Sequence, residues 1–348
     1  MKIGKDPGGP HRMEPLWPTV ADDSLRALAI RVIRLSAKLG EALHPLTRRH
    51  VAELLQSMNS YYSNLIEGHK THPADIERAL RSELAADPAR RALQLESRAH
   101  VEVQRLLEKR LSEEPDLKIC SAGFLSWIHS EFYGRMPEEF CRVQDRRGNQ
   151  LPVEAGTLRD RELEVGEHLA PPARSLQGLL DRFGEAYEPS QLNEVDQLVA
   201  AGASHHRLTW IHPFLDGNGR VARLFSHAYL IRAGVDGSGL WAISRGLARR
   251  RQEYFSALRD ADHPRRGDLD GRGNLSNEGL VSFVRFFLGI ASDQIAFMSG
   301  LLELEGLERR IRGYLEVLSS SGELKAGAFT CFVKLWCAVR SPAERPRA

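Results

Sequence analysis

"TWIHPFLDGNGRVARLF", residues 209–225, decides how this chain is read. Two helical patterns meet in it and neither runs through. Pro213 biases His212 away from helical backbone, which leaves the imidazole at a helix end. Asp216-Gly-Asn-Gly219 then supplies two residues free to take positive φ, and a new helix starts near Asn218. Successive backbone N–H groups in such a turn form an anion-binding nest, and the helix N-terminus adds the positive end of its dipole. Arg220 and Arg223, three residues apart, lie on one face of the first turn. Asp216 stands at the mouth as a hard oxygen ligand for Mg²⁺ held by a polyphosphate. His212, with an ordinary pKa of about 6.5, is suited to take a proton from an incoming hydroxyl. The stretch reads as a cradle for nucleotide phosphates with a base beside it.

Outward from this turn the chain reads as helix after helix. Asp22, Asp23 and Ser24 offer caps for a first helix, whose apolar stripe runs from Leu25 to Leu39 and stops at Gly40. A second follows Pro45, with Val51, Leu54, Leu55, Met58, Tyr62 and Leu65 on one face, and ends at Glu67 before Gly68. Further helical patterns occupy roughly 73–86, 88–110, 123–136, the stretch after Pro171-Pro172, 192–211, 246–261, 276–300 and 303–319. Residues 142–171 lack helical period and carry turn signals at Gly148-Asn149 and Ala155-Gly156. They are expected to form a loop with one small hairpin near Leu163 and Val165. The expected fold is all-α with a small β-hairpin flap, preceded by an N-terminal helical region.

Composition narrows the class. The chain has 348 residues, 42% hydrophobic and 27% charged, with a net charge of +2, so no global basic balance argues for nucleic acid or anionic membrane. Cys120, Cys141, Cys331 and Cys337 form no CxxC pair or finger-like spacing, which favours a reducing compartment. No run approaches the roughly 18 apolar residues of a spanning helix, and the Gly- and Pro-rich start has no apolar core of a signal peptide. A cytoplasmic protein is expected. The organisation predicted is a disordered tail at 1–20, an N-terminal helical region at 21–112, a catalytic domain at 113–300, a helical appendage at 301–340 and a disordered tail at 341–348.

His212-Pro-Phe-Leu-Asp216-Gly-Asn-Gly-Arg220-Val-Ala-Arg223 resembles the full HxFx[DE]GNGRxxR signature of the Fic family, whose best-known activity is protein AMPylation. The resemblance implies a Fic-type helical core binding ATP and Mg²⁺, with AMP passed to a Ser, Thr or Tyr hydroxyl of a target protein and of the enzyme itself. By that similarity His212 would be the general base, Phe214 an anchor for the loop and Asp216 the metal ligand. Gly217, Asn218 and Gly219 would form the anion hole, Arg220 would hold the inner phosphates and Arg223 the γ-phosphate, with Val221 and Ala222 between them in the ATP site. Ser63 to Gly68, "SNLIEG", is similar to the family's inhibitory [ST]xxxE[GN] helix, here about 46–68. Ser63 and Glu67 share a helix face, and Glu67 would meet Arg223. Leu163 to His168, including Val165, Gly166, Glu167 and His168, resembles the flap that docks targets. "RRQEYFSALRDAD" resembles the segment beside the adenine: Tyr254 matches, Phe255 replaces a Tyr, and Asp262 stands where Asn is usual. A homodimer is consistent with the resemblance. Two other readings remain open: a nucleotide-binding regulatory protein with vestigial catalysis, and a Fic-type enzyme using another phosphate transfer, as kinase or in de-AMPylation.

Other signals carry less. His205 and His206 with His212 and Asp216 lack the adjacent His-Asp pair of an HD-type metal phosphohydrolase. Residues 268–279 place Arg272 and Gly279 where an EF-hand needs ligands, so a polar turn is expected. "LARRRQEY", 247–254, reads as a solvated helix face rather than a nucleic-acid stripe, and 303–340 is too short to complete a DNA-binding winged helix.

Overall fold

The computed structural model describes residues 9–19, 23–41, 43, 45–144, 148–166 and 168–322. In chain order the helices are α1 (Ser24–Glu41), α2 (Pro45–Glu67), α3 (Pro73–Leu80), α4 (Pro88–Glu113), α5 (Ala122–Tyr133), α6 (Leu176–Tyr187), α7 (Glu194–Ile211), α8 (Asn218–Arg232), α9 (Ile243–Arg249), α10 (Arg251–Asp262), α11 (Asn277–Leu302) and α12 (Leu304–Ser320). Strands β1 (Arg142–Gln144) and β2 (Gln150–Pro152) form one antiparallel hairpin, and β3 (Glu164–Val165) and β4 (His168–Leu169) a second. The all-α fold expected from the sequence is therefore present.

Helix starts follow local chemistry. Asp87 accepts from the Arg90 N–H at 2.8 Å, Asn193 from Asp196 at 3.0 Å and Ser276 from Gly279 at 2.9 Å, each satisfying a donor that a helix N-terminus leaves open. Pro45, Pro73 and Pro88 open α2, α3 and α4, where a missing N–H is harmless.

The centre is the antiparallel pair α7 and α8, joined by the 212–217 turn. Residues 198–208 of α7 are buried without interruption, as are 221–230 of α8. A helix buried on all sides loses its amphipathic stripe. α11 and α6 pack on α7, α4 and α5 on α8, and α2 lies across α4 with its C-terminal end over the start of α8. That crossing positions the site.

Several sequence expectations change. The stretch predicted as helix to residue 86 stops at Leu80, because Gln94 of α4 takes the Ala85 N–H at 2.6 Å and also bonds the Glu83 carbonyl, which commits this segment to a turn. The helix expected at 246–261 breaks at Arg250 (φ −115°, ψ 38°) into α9 and α10. Where the sequence predicts one hairpin, two are present among the described residues. Of the tail predicted at 1–20, the described part is packed: Met13 and Leu16 are buried, fully buried Arg207 donates to the Pro15 carbonyl at 2.7 Å, and Tyr187 to that of Leu16 at 2.5 Å. A buried guanidinium needs acceptors, and this segment supplies them. The expected tail at 341–348 and residues 323–340 of the appendage lie outside the described residues, while 304–320 form α12 as the helical pattern predicts. Contrary to the hydropathy expectation, α11 is long and apolar enough to cross a membrane. Its faces are taken instead by α1, α7, α9 and α10, as in a core helix. Asp270 caps its own turn by accepting from the Glu278 and Arg266 N–H groups at 2.8 and 2.9 Å, in line with a polar turn at 268–279.

Candidate active site

His212 ends α7 in left-handed backbone, φ 50° and ψ 61°, with its N–H on the Leu208 carbonyl at 3.1 Å. Its Nδ1 lies 3.1 Å from the Thr209 carbonyl. A carbonyl only accepts, so Nδ1 carries the ring proton and Nε2 keeps its lone pair. Burial pushes the imidazole pKa down to about 4 against a weaker opposing pull from the Thr209 bond, so the ring is neutral near pH 7. The result is a base in its unprotonated form at rest.

The turn after it is closed by one side chain. Asn218 Oδ1 accepts from the Phe214 N–H at 2.9 Å while its Nδ2 donates to the Phe214 carbonyl at 2.8 Å. The Asn218 amide thus builds the loop, and only its backbone is left for an anion. Phe214 is fully buried and stacks on His129 of α5 with centroids 4.1 Å apart. His129 Nε2 donates to the Asp216 carbonyl at 3.2 Å and its Nδ1 accepts from Gly156 at 2.8 Å. Gly217 has φ 77°, and a Cβ there would lie 2.7 Å from the Tyr133 ring. Close approach of that ring is useful: Tyr133 donates to Asp216 Oδ2 at 2.7 Å and braces an otherwise exposed carboxylate.

Across the turn stands the end of α2. Arg223, 2% exposed, donates from Nε to Ser63 Oγ at 2.9 Å and from Nη2 to Glu67 Oε1 at 2.5 Å. Burial alone would raise the Glu67 pKa, but the Arg223 and Arg220 charges outweigh it and hold the carboxyl below the usual range. A Cβ at Gly219 would sit 2.4 Å from Glu67 Oε1, so the carboxylate lies directly against the start of α8. Arg251 donates to the Ile66 carbonyl at 2.7 Å, fixing the same helix end. Arg220 pairs with Glu96 of α4 and lies beneath the Phe132 ring at 5.5 Å.

Other residues expected here fall elsewhere. Val221 and Ala222 are 2% and 0% exposed, and their side chains belong to the core rather than to a nucleotide site. The helical repeat that turns Arg220 and Arg223 toward Glu96 and Glu67 points these two in other directions, into the core. Tyr254 is fully enclosed, its hydroxyl 2.7 Å from His205 Nε2, so it backs the site instead of lining an open pocket. Asp262 is engaged by His206 at 3.1 Å and by flap residue His168 at 3.4 Å. His168 also bonds the Trp210 carbonyl through Nε2 at 2.8 Å, which anchors β4 to the end of α7. Val165 is exposed and Gly166 takes φ 58° at the hairpin tip; Glu167 lies outside the described residues. Between the two hairpins a groove of about 290 Å³ is lined by Val143, Leu151, Leu163, Leu169 and Leu215 among others.

Four contributors were not singled out in the sequence. Arg159, 5% exposed, donates to the carbonyls of His212 (2.8 Å) and Pro171 (2.6 Å), tying the base to the flap. His129, Tyr133 and Glu96 hold the turn, Asp216 and Arg220. His129 and Tyr133 stand out locally as polar residues in the apolar helix α5, whereas Arg159 lies in a loop and Glu96 in a polar helix, where nothing local marks them.

Residues 121–230 match the sequence model of the Fic/DOC family. A protein adenylyltransferase Fic of Nematostella vectensis is 31% identical over 212 residues, 60% of this chain and 43% of that protein. One of Drosophila mojavensis is 38% identical over 87 residues, 25% of this chain and 17% of that protein. The chain thus spans less than half the length of these curated relatives. A crystal structure of a Fic family protein from Desulfovibrio desulfuricans G20 superposes with TM-score 0.60 at 20% identity, over 81% of this chain and 76% of that one. Fic-1 of C. elegans superposes with TM-score 0.61, also at 20% identity, covering 81% and 74%. Residues 121–230 are thus similar in sequence to the Fic/DOC family, and the fold of the chain is that of the Fic structures it superposes on.

Proposed function

We propose that the protein is an autoinhibited protein adenylyltransferase that transfers AMP from ATP to a hydroxyl of a target protein and of itself. One observation carries this reading: the free lone pair of His212 Nε2 stands on the same turn as the anion nest and Arg223, while Glu67 occupies Arg223. In the step envisaged, the target hydroxyl oxygen attacks the α-phosphorus, His212 Nε2 takes the hydroxyl proton, and pyrophosphate leaves with the electrons of the broken P–O bond. The relatives named protein adenylyltransferase Fic support the same chemistry. Incubation with α- or γ-labelled ATP tests it. Label is expected on protein from α-labelled ATP alone; label from γ-labelled ATP would mean a kinase, and none from either, even after Glu67→Gly, a binding protein.

Asp216 would hold the divalent cation. A single exposed carboxylate braced by Tyr133 suits an ion carried in by phosphate oxygens. Among the described residues no three His, Cys, Asp or Glu side chains gather as a caged metal site would require. The ion, when bound, would neutralise polyphosphate charge. Asp216→Ala is expected to abolish the Mg²⁺ dependence of ATP affinity, read by calorimetric titration with and without Mg²⁺. An unchanged metal response would move the ion elsewhere.

The β3–β4 hairpin is short, with exposed Val165 and Leu169, and sits beside the apolar groove and the turn that carries Leu215. An extended target segment would add along its edge through backbone bonds, which makes recognition tolerant of target sequence. Val165→Pro removes one backbone donor. It is expected to lower target modification about tenfold, near the loss of one well-placed contact, while ATP affinity stays within about twofold. Equal losses in both would make the hairpin structural only.

A further inference from the structure

Both arginines of the cradle are paired, but their two carboxylates are built differently. Glu67 sits on the last turn of α2, directly before Gly68, whose φ is 92°. Glu96 lies well inside α4, a helix of 26 residues packed against α2, α3, α5 and α8. A carboxylate on the end of a helix can swing away with that end; one in the body of a clamped helix cannot. Glu96 is 6% exposed, and its Oε1 takes the Nη2 of Arg220. Its Oε2 lies 2.7 Å from Nδ1 of His69, the second residue after Glu67. The same His69 nitrogen is 3.4 Å from Arg220 Nη2. Arg220 Nε is buried without a partner, so Glu96 provides the principal hold on this guanidinium.

We propose that Glu96 is a positioning residue for nucleotide phosphates: it fixes the Arg220 guanidinium from α4, and His69 secures its other oxygen. The proposal rests on the phosphate-cradle reading and needs no particular group transfer. Its logic is geometric. A long side chain left free would spend little time aimed at a phosphate, whereas one tied through Nη2 presents its remaining edge in a fixed place. The Glu96 carboxylate subtracts some attraction for the anion, and it removes the ordering cost in exchange. The Glu96 bond also raises the His69 pKa against the opposing effect of burial, consistent with an ion pair on the second oxygen.

The test uses the full chain in the Glu67→Gly background, where Arg223 is unblocked. Kd for ATP is measured by calorimetry, KM and kcat by AMP incorporation, and Tm by melting. Glu96→Ala is expected to raise both Kd and KM for ATP about tenfold with kcat within about threefold, as loss of ground-state positioning should. Glu96→Gln, which keeps an oxygen for Nη2, should give a smaller rise in the same direction and serves alone if the alanine variant does not fold. Because the effect passes through Arg220, adding Glu96→Ala to Arg220→Ala should cost no further affinity. Unchanged Kd in a folded variant, tighter ATP binding, or a loss that adds fully to that of Arg220→Ala would each overturn the proposal. If Glu67→Gly transfers no AMP yet ATP affinity responds as stated, the transferase reading fails and the role of Glu96 stands.

Discussion

Glu67→Gly is expected to raise AMP transfer at least about tenfold over the wild-type chain, with self-modification the simplest readout. Arg223 cannot lose its proton, so it keeps an anion in whichever state the site adopts. At rest that anion is Glu67, at 2.5 Å and against Gly219. Catalytic ATP would need the same guanidinium for its γ-phosphate, so the pair and the productive pose exclude one another. Breaking one side of a buried pair costs roughly 3–5 kcal/mol. Glu67 keeps 31% of its side chain exposed, which sets the figure at the lower end, about 3 kcal/mol. At about 1.4 kcal/mol per tenfold this still holds the competent state below about one part in a hundred. The pH sign follows from the lowered Glu67 pKa. The contact is complete above the unfolded carboxyl pKa of about 4.5 and weakens only as pH falls through the lower folded value. Mild acid should therefore not mimic the mutation. Arg223→Ala should not be activated by Glu67→Gly, since it lacks the phosphate ligand too. Equal transfer rates in wild type and Glu67→Gly would reduce Ser63–Gly68 to an ordinary helix end.

His212→Ala, made on the Glu67→Gly background, is expected to lower transfer by about 10²–10⁴ with ATP affinity within about twofold. The fold should survive, because the turn is held by Asn218, Phe214 and Arg159 rather than by the imidazole. Burial places the His212 pKa near 4, and its depressed value means that the neutral ring is the form present above that pH. The acid limb of the transfer rate should then lie well below 6.5, with little loss between pH 8 and 6. A folded variant that still transfers AMP would remove His212 from the base role. An acid limb at 6.5 would mean that the ring leaves its buried Nδ1 bond in the working enzyme.

The sequence by itself determined what is decided over short distances. Helix content, the break at Pro213 and the chemistry of residues 212–223 are local: Asn218 closes a loop back to Phe214 only four residues away. The pairing of Glu67 with Arg223 was reached through resemblance, since no spacing rule links residues 156 apart. Tertiary structure alone decided the supports. Glu96 meets Arg220 across 124 positions, Tyr133 meets Asp216 across 83, and Arg159 meets the His212 carbonyl across 53. It also turned Tyr254 inward onto His205 and drew Met13 to Trp17 onto the body of the fold. The physical reason is the same in each case. Periodicity and turn chemistry act through the few residues within one or two turns, whereas a buried polar group takes whatever partner the packing of whole helices brings to it.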